Sequence, residues 1–120
     1  MEYSGVVKNQ DWAIAERIKY LADKQYSFYT IELGTRNAKD EMLYIDARTS
    51  KCKARLISHS CDPNCIIVEW LVEGLPRLLV FAKNDIFIGE ELTLDYGTKA
   101  TGLLDGELCL CGTTKCRLYF

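Results

Sequence analysis

One segment of this chain has the hydrophobic spacing of a helix. Between Asp11 and Asp23, three apolar residues recur at intervals of four and three positions, which places them on one helical face. These are Ile14, Ile18 and Leu21. The positions that we place opposite them are charged. These are Glu16, Lys19 and Asp23. We therefore predict an amphipathic surface helix that packs through its apolar face and has Asp11 as its N-cap.

The remaining apolar runs are short, and many are rich in β-branched and aromatic residues, which is typical of strands. The predicted strands are Glu2–Val7, Tyr26–Leu33, Met42–Ala47, Cys65–Glu73, Arg77–Ala82 and Glu91–Asp95. Glu73-Gly74-Leu75-Pro76 is a hairpin signal between two of these strands. Several short strands and a single helix predict an α+β fold that is mostly antiparallel β structure.

Composition narrows the classes of protein that this chain can represent. Its 120 residues suffice for one domain, and its net charge of −2 argues against nonspecific nucleic-acid binding. We find neither a signal peptide nor an apolar run long enough to cross a bilayer. Without a secretory signal, the 6 cysteines favour a metal site over disulfides.

The C-terminal cysteines have the spacing of metal ligands. Cys109, Cys111 and Cys116 form a Cys-x-Cys-x4-Cys pattern, which supplies three thiolates within a few residues. A structural zinc site is tetrahedral and takes four sulfur or nitrogen ligands, so one ligand must come from elsewhere. The candidates are Cys52, Cys61, Cys65 and His59. The alternative is a reduced tail with three unligated cysteines.

Two further residues could take part in chemistry, but neither identifies a reaction alone. His59 is the only histidine, which excludes mechanisms that require two. A hydrolase that pairs His59 with Cys61 is conceivable, but the two residues are only two positions apart and no third residue that would orient the histidine is evident. Taken singly, His59 is typical of a hydrogen-bonded turn. Tyr96 ends an apolar strand before Gly97, where a tyrosine is more often a core residue than a proton carrier.

Three ordered motifs together resemble the SET-domain protein-lysine methyltransferases that carry a post-SET zinc tail. Arg55–Asn64 is similar to the pattern Arg-Phe-x-Asn-His-x-Cys-x-Pro-Asn, and Gly89–Tyr96 to Gly-Glu-Glu-Leu-x-Phe-Asp-Tyr. The cysteine tail matches the third motif. The resemblance implies a SET domain over 1–97, lacking its first strands, a linker over 98–108 and a post-SET zinc-binding tail over 109–120.

In this family the first two motifs cross in a pseudoknot, where S-adenosylmethionine meets the target lysine. The resemblance implies that Tyr96 is the catalytic tyrosine of the lysine channel and that Tyr3 helps to position the amine. It implies these cofactor contacts: Ser27, Phe28, Arg55, Ser58, His59 and Leu110. It also implies a structural zinc ion bound by Cys61, Cys109, Cys111 and Cys116.

The implied function is S-adenosylmethionine-dependent methylation of a lysine in a protein, with a histone tail as the partner, in the chromatin of the nucleus. No membrane and no sequence-specific nucleic acid are expected as partners. Three departures from the family pattern stand out: no Gly-x-Gly segment precedes Tyr3, and Ser58 and Leu94 replace an asparagine and an aromatic residue. The alternatives are an inactive SET-like peptide-binding module, an inactive fragment of a longer enzyme, and an unrelated zinc-stapled interaction domain.

Overall fold

Small sheets carry most of the fold in the computed structural model, which describes residues 1–23, 29–96 and 108–119. The strands are β1 (Glu2–Tyr3), β2 (Val6–Lys8), β3 (Thr30–Arg36), β4 (Met42–Asp46), β5 (Ser58–His59), β6 (Cys65–Val72), β7 (Leu75–Ala82) and β8 (Thr93–Leu94). An α-helix, α1 (Gln10–Ala22), and a 3₁₀ turn, Lys53–Leu56, complete the order. The predicted class, mostly β with short antiparallel sheets and one helix, is confirmed for the described residues.

The first predicted strand is in fact two strands that belong to different sheets. β1 pairs antiparallel with β7, whereas β2 pairs antiparallel with β4. The chain changes sheet at Gly5, where a Cβ atom would lie 2.2 Å from the carbonyl oxygen of Asp46. The prediction of one continuous strand was wrong because alternation of side chains does not reveal a backbone contact this close.

Helix α1 forms where it was predicted, but it packs through a different face. Its buried residues are Ala13, Glu16 and Tyr20, whereas Ile14, Ile18 and Leu21 are 53%, 63% and 58% exposed. Glu16 tolerates burial because Arg48 and Lys19 both pair with its carboxylate, at 3.2 Å each. The predicted N-cap was also wrong, because the side chain of Asn9 accepts the Trp12 N–H instead.

The predicted hairpin forms, but its turn is shorter than the predicted Glu73-Gly74-Leu75-Pro76, because Leu75 and Pro76 pair as part of β7. β6 and β7 are antiparallel along all 8 residues of each strand, from Cys65 opposite Ala82 to Val72 opposite Leu75. Glu73 and Gly74 have φ values of 52° and 78°, which define a two-residue turn with the twist that hairpins favour. The inward positions Leu78 and Val80 are buried and reach the core of the domain.

The other strands differ from prediction mainly in their ends. β3 continues to Arg36, through an irregular segment whose Gly34 and Thr35 N–H groups donate to the Glu69 carboxylate at 2.6 and 2.8 Å. Residues 24–28, which begin the predicted strand Tyr26–Leu33, lie outside the described part of the chain. The last predicted strand, Glu91–Asp95, is reduced to β8, and that strand is parallel to β5.

One buried cluster joins the sheets, and it lies beneath the β5–β8 pair. Its members are Tyr3, Leu33, Ile45, Ala47, Ala54, Ile57, Cys65, Leu78, Val80 and Leu94. Since β1, β4, β7 and β8 all contribute, the core brings the beginning and the end of the domain together. Among the described residues, no helix has the length and apolarity that crossing a membrane requires.

Candidate functional site

The two family-like motifs meet at the parallel pair β5–β8. Ser58 lies opposite Thr93 and His59 opposite Leu94, and the Ser60 N–H donates to the Leu94 carbonyl at 2.9 Å. Two residues per strand are too few for a stable ladder, so side chains supply the remaining contacts. The two motifs are therefore in direct contact, as the resemblance implied; the threading of a pseudoknot stays a prediction.

Asn64 holds this junction through both ends of its amide. Its Oδ1 atom accepts the Thr93 N–H at 2.9 Å, and its Nδ2 atom donates to the Glu91 carbonyl at 2.8 Å. Its own N–H donates to the Thr93 hydroxyl at 3.1 Å. A single side chain thus satisfies the carbonyl of Glu91, two residues before β8's first residue, and the N–H of that first residue, Thr93.

Three tyrosines belong to the buried cluster or pack against it: Tyr3, Tyr29 and Tyr96. Burial raises the pKa of Tyr3, and the neighbouring Cys52 and Tyr96 raise it further. Burial also raises the pKa of Tyr96, with Tyr29 adding to the shift. The Tyr96 hydroxyl donates to the Ile57 carbonyl. Both predicted catalytic tyrosines therefore keep their protons at neutral pH, and they lie close enough to influence each other.

His59 connects Tyr96 with the cysteine cluster. Its Nδ1 atom accepts the Tyr96 N–H at 3.0 Å, so in the neutral ring the proton is on Nε2, which lies 3.4 Å from the Cys61 sulfur. Burial lowers the pKa of this imidazole, against an opposing effect of Asp95. The neutral tautomer thus donates toward a cysteine and accepts from the backbone of the predicted catalytic residue.

The sulfur atoms of Cys61, Cys109, Cys111 and Cys116 all lie within 4.8 Å of one another. Four thiolates at the usual Zn–S distance of about 2.3 Å place sulfurs roughly 3.8 Å apart in a tetrahedron. The Cys61–Cys109 separation is 3.7 Å, which fits this geometry. The Arg117 and Leu118 N–H groups donate to Cys61 and Cys116, at 3.4 Å each, as donors around metal thiolates do. The cysteine spacing left four candidates for the remaining ligand and the family resemblance implied Cys61, which the fold places beside the tail.

The thiols of the cluster differ in pKa. The Thr113 hydroxyl, 3.3 Å from the Cys111 sulfur, contributes most to lowering the pKa of that thiol to about 5. For Cys109, a hydrogen bond with the Cys111 backbone lowers the pKa, but burial and the neighbouring thiols outweigh it and raise the pKa to about 12. A bound cation must therefore displace protons, which makes metal affinity dependent on pH.

A cavity of about 540 Å³ opens beside β5 and the cysteine tail. It is large enough for a small organic ligand. Its lining includes Ser58, His59 and Leu110, three of the predicted cofactor contacts. The other lining residues are Ser60, Asp62, Asn64, Asn84, Glu90, Glu91, Thr93, Cys111 and Thr113. Leu110 is 84% exposed at the cavity, so a ligand there would cover an apolar side chain.

None of the other predicted cofactor contacts is among the described residues that line this cavity. Arg55 lies beside Tyr29: its guanidinium is 4.8 Å from the centre of that ring, and it donates to the Arg48 carbonyl. Ser27 and Phe28 lie outside the described residues, as does the predicted linker over 98–108 except for Leu108.

Sequence reasoning missed two features of the site. One is Tyr29, whose only signal was its place in an aromatic run. The other is a two-pronged ion pair in which Arg117 donates to Asp95 at 2.6 and 2.8 Å. Each partner adjoins a residue that was singled out, Cys116 or Tyr96, but a sequence carries no sign that the two charges meet.

Comparison with known proteins agrees with this arrangement. The family described as the SET domain matches residues 1–97. The chain is 36% identical to the histone-lysine N-methyltransferase ash1 of Drosophila melanogaster, over 98% of this chain and 5% of that protein. It is 44% identical to the probable histone-lysine N-methyltransferase set-23 of Caenorhabditis elegans, over 98% of this chain and 48% of that protein. The chain therefore spans less than half the length of either relative.

Solved structures show the same fold. One, described as the structural basis for the product specificity of histone lysine methyltransferases, superposes with a TM-score of 0.77 at 32% identity, over 98% of this chain and 45% of that chain. CpSET8 from Cryptosporidium superposes with a TM-score of 0.61 at 35% identity, over 81% of this chain and 45% of that one. With the family match over most of its length, this chain belongs to the SET-domain family.

Proposed function

We propose that this domain is the catalytic part of a protein-lysine N-methyltransferase that uses S-adenosylmethionine and acts on a histone tail in chromatin. One observation carries the proposal. Beside the junction of the two motifs is a cavity large enough for a small organic ligand, lined by Ser58, His59 and Leu110, and the Tyr96 hydroxyl donates to the carbonyl of Ile57, the residue directly before β5. A methyl donor in the cavity and a lysine oriented by Tyr96 would therefore both lie at the same pair of short strands.

The tyrosines act as neutral groups that orient an amine. Tyr96 and Tyr3 keep their protons because burial raises the pKa of each. Since the Tyr96 hydrogen is directed to the Ile57 carbonyl, its oxygen lone pairs are what it offers to a lysine N–H. The same burial disfavours a charged ammonium group, so the substrate lysine enters in its neutral, nucleophilic form.

When bound, S-adenosylmethionine supplies a methyl group activated by its sulfonium. Transfer of that methyl group would be a displacement in which the lysine nitrogen takes the carbon, the thioether form of the cofactor leaves, and the methylated ammonium loses a proton to solvent. This displacement requires the nitrogen, carbon and sulfur in line, so orientation by fixed side chains supplies much of the rate. Ser58, His59 and Leu110 would hold the adenine end.

We propose a structural part for zinc, bound by Cys61 and the three tail cysteines as a post-SET site. A closed set of four thiolates leaves no position for substrate, so the ion would hold the tail against β5 and not take part in the reaction.

Acidic side chains at the cavity, Asp62, Glu90 and Glu91, suit a cationic cofactor.

The first experiment is a calorimetric titration of zinc-loaded protein with S-adenosylmethionine, followed by transfer of a labelled methyl group to histone tails. We expect saturable binding and transfer to lysine. Tyr96→Phe removes one hydroxyl, and it should lower kcat by about 10²–10³-fold with little change in cofactor affinity, the magnitude expected for one oriented polar group.

A folded, zinc-loaded chain that does not bind S-adenosylmethionine would overturn the proposal. Cofactor or peptide binding without any methyl transfer, unchanged in Tyr96→Phe, would favour an inactive peptide-binding module. Ser58, which stands where the family pattern has asparagine, offers a second variant for this distinction. Ser58→Asn should raise cofactor affinity if the cavity binds the cofactor, and should leave peptide binding unchanged.

A further inference from the structure

We propose that Arg117 and Asp95 are positioning residues that transmit metal binding at the tail cysteines to Tyr96. The role of Tyr96 in this inference rests on the function proposed above, whereas the physical coupling between tail and tyrosine does not. Asp95 belongs to the motif Gly89–Tyr96 and Arg117 follows the last cysteine of the tail, but the resemblance assigned a role to neither.

Arg117 contacts the cysteine cluster and the Tyr96 segment at once. Its backbone N–H donates to the Cys61 sulfur at 3.4 Å, while its two terminal nitrogens donate to both carboxylate oxygens of Asp95, at 2.8 and 2.6 Å. Two parallel hydrogen bonds fix the carboxylate in direction as well as distance. Since Tyr96 is the next residue, its backbone is held relative to a metal ligand.

His59 makes a second connection between the same two places. It lies 3.4 Å from the Cys61 sulfur and accepts the Tyr96 N–H at 3.0 Å, and its ring is 5.4 Å from the Tyr96 ring. The Cys61 sulfur is therefore linked to residues 95 and 96 through an imidazole on one side and a guanidinium on the other. Two links restrict rotation of the segment more than either link alone.

Tyr96 needs this support because regular structure ends before it. β8 ends at Leu94, and the Tyr96 N–H is taken by a side chain and not by a strand. Tyr3, the other predicted catalytic tyrosine, lies in β1, where it pairs with Leu78 of the central strand of its sheet. Of the two tyrosines, only Tyr96 depends on contacts that start at the cysteine cluster.

Charge explains why the coupling responds to metal binding. A zinc ion with four thiolates would carry a formal charge of −2, so a cation between the cluster and the Asp95 carboxylate is favourable. Arg117 supplies that cation, and lysine is a poor replacement because it cannot bind both carboxylate oxygens in one plane. A bound metal ion would fix the position of the Cys61 sulfur that accepts the Arg117 N–H, and would thereby restrict the motion of the arginine that holds Asp95.

The test uses Arg117→Lys, which keeps the charge and the backbone N–H, in the zinc-loaded chain. Hydrogen exchange of the Tyr96 amide reports the coupling directly. We expect exchange at least about 10-fold faster than in the wild type, as for a locally opened segment. Zinc content should stay the same, and removing zinc from the wild type with a chelator should raise exchange by a similar factor.

Lys115→Ala is the matched control, since Lys115 is a tail cation beside Cys116 that pairs with Asp62 at 3.4 Å and not with the Tyr96 segment. It should leave Tyr96 exchange within 2-fold of the wild type, a difference within the noise of such local openings. Unchanged exchange in Arg117→Lys, or an equal rise in both variants, would overturn the inference.

Kinetics separate a positioning role from simple attachment of the tail. Arg117→Lys and Asp95→Asn should each lower kcat about 10-fold or more with smaller changes in KM, and the double variant should cost no more than the worse single one. Additive losses would contradict a shared role. Altered exchange in a chain that never methylates would leave the coupling intact and refute only the proposed function.

Discussion

The β6–β7 hairpin and the β5–β8 junction are built in opposite ways. The hairpin joins 8-residue strands through a two-residue turn, so neighbours in sequence become neighbours in space. The junction joins two-residue strands that are about 35 positions apart, and it relies on Asn64, His59 and Arg117 to complete its hydrogen bonds.

This difference distinguishes a part of the domain that is stabilised by local backbone pairing from a part whose geometry depends on side-chain contacts between distant segments. Backbone ladders closed by short turns form with little loss of chain entropy, whereas a contact between distant segments must first close a long loop. The candidate site lies on the second kind of structure. Its geometry therefore depends on side-chain bonds and on the cysteine cluster, and it can be disrupted while the hairpin remains intact.

The largest effect should come from Cys61→Ser, which removes the one cluster cysteine outside the tail. We expect zinc affinity to fall by at least about 100-fold, because even changes in the groups around metal ligands cost 10–100-fold. Cofactor binding should weaken with it, while hydrogen exchange in the hairpin should stay near wild type. Elemental analysis and calorimetry measure the first two effects.

Cys52→Ser is the control for this experiment. Its thiol donates to the Ser4 carbonyl, a bond that a serine hydroxyl can keep, and it lies outside the described cluster. It should retain zinc fully. If Cys52→Ser lost the metal and Cys61→Ser kept it, the assignment of ligands would be wrong.

Asn64→Ala should have the next largest effect, because it removes both side-chain bonds at the start of β8. Each bond contributes about 0.5–1.5 kcal/mol, so the free energy of unfolding should fall by roughly 1–3 kcal/mol. Asn64→Asp keeps one acceptor and should recover part of the loss. Chemical denaturation checks both values, and equal stability of the two variants would contradict the role of the bond between Oδ1 and the Thr93 N–H.

Two glycines with similar backbone conformations, one in the hairpin and one near the junction, allow a smaller test of the difference between these regions. Gly74 in the hairpin turn and Gly89 before β8 have φ values of 78° and 86°, and an added Cβ would meet no atom within 4 Å at either. Alanine should cost about 1 kcal/mol at each, purely from backbone strain. Only Gly89→Ala, next to the cavity residue Glu90, should also weaken cofactor binding; equal effects on binding would remove the contrast.

The smallest effect should come from Arg77→Ala, which breaks the exposed pair with Glu2. This two-pronged pair resembles Arg117–Asp95 in geometry, but β1 is already held by its pairing with β7. We expect no resolvable change in stability at neutral pH. The hydrogen bond from Arg77 lowers the pKa of Glu2, so any contribution is present above the unfolded pKa and disappears as pH falls through the lowered folded value. A clear loss of Tyr3 function would show that this pair also positions a tyrosine.

Several features could be predicted from local sequence. The Glu73-Gly74 turn and the apolar runs around it identified the hairpin, because turn chemistry and alternation act between near neighbours. The spacing of Cys109, Cys111 and Cys116 predicted a metal site for the same reason, and three motifs in order carried the resemblance to the SET-domain family, which the comparisons confirmed.

Tertiary structure decided the rest, because it involves residues far apart along the chain. Periodicity placed Ile14, Ile18 and Leu21 on the packed face of α1, but the fold buries Ala13, Glu16 and Tyr20 instead, and Arg48 compensates the charge of the buried Glu16 carboxylate. The family resemblance implied Cys61 as the fourth ligand, and the fold places its sulfur beside the tail cysteines. Sequence by itself thus determined many of the elements and the family, whereas the three-dimensional packing decided which helix face is buried and that Arg117 and Asp95 meet beside Tyr96.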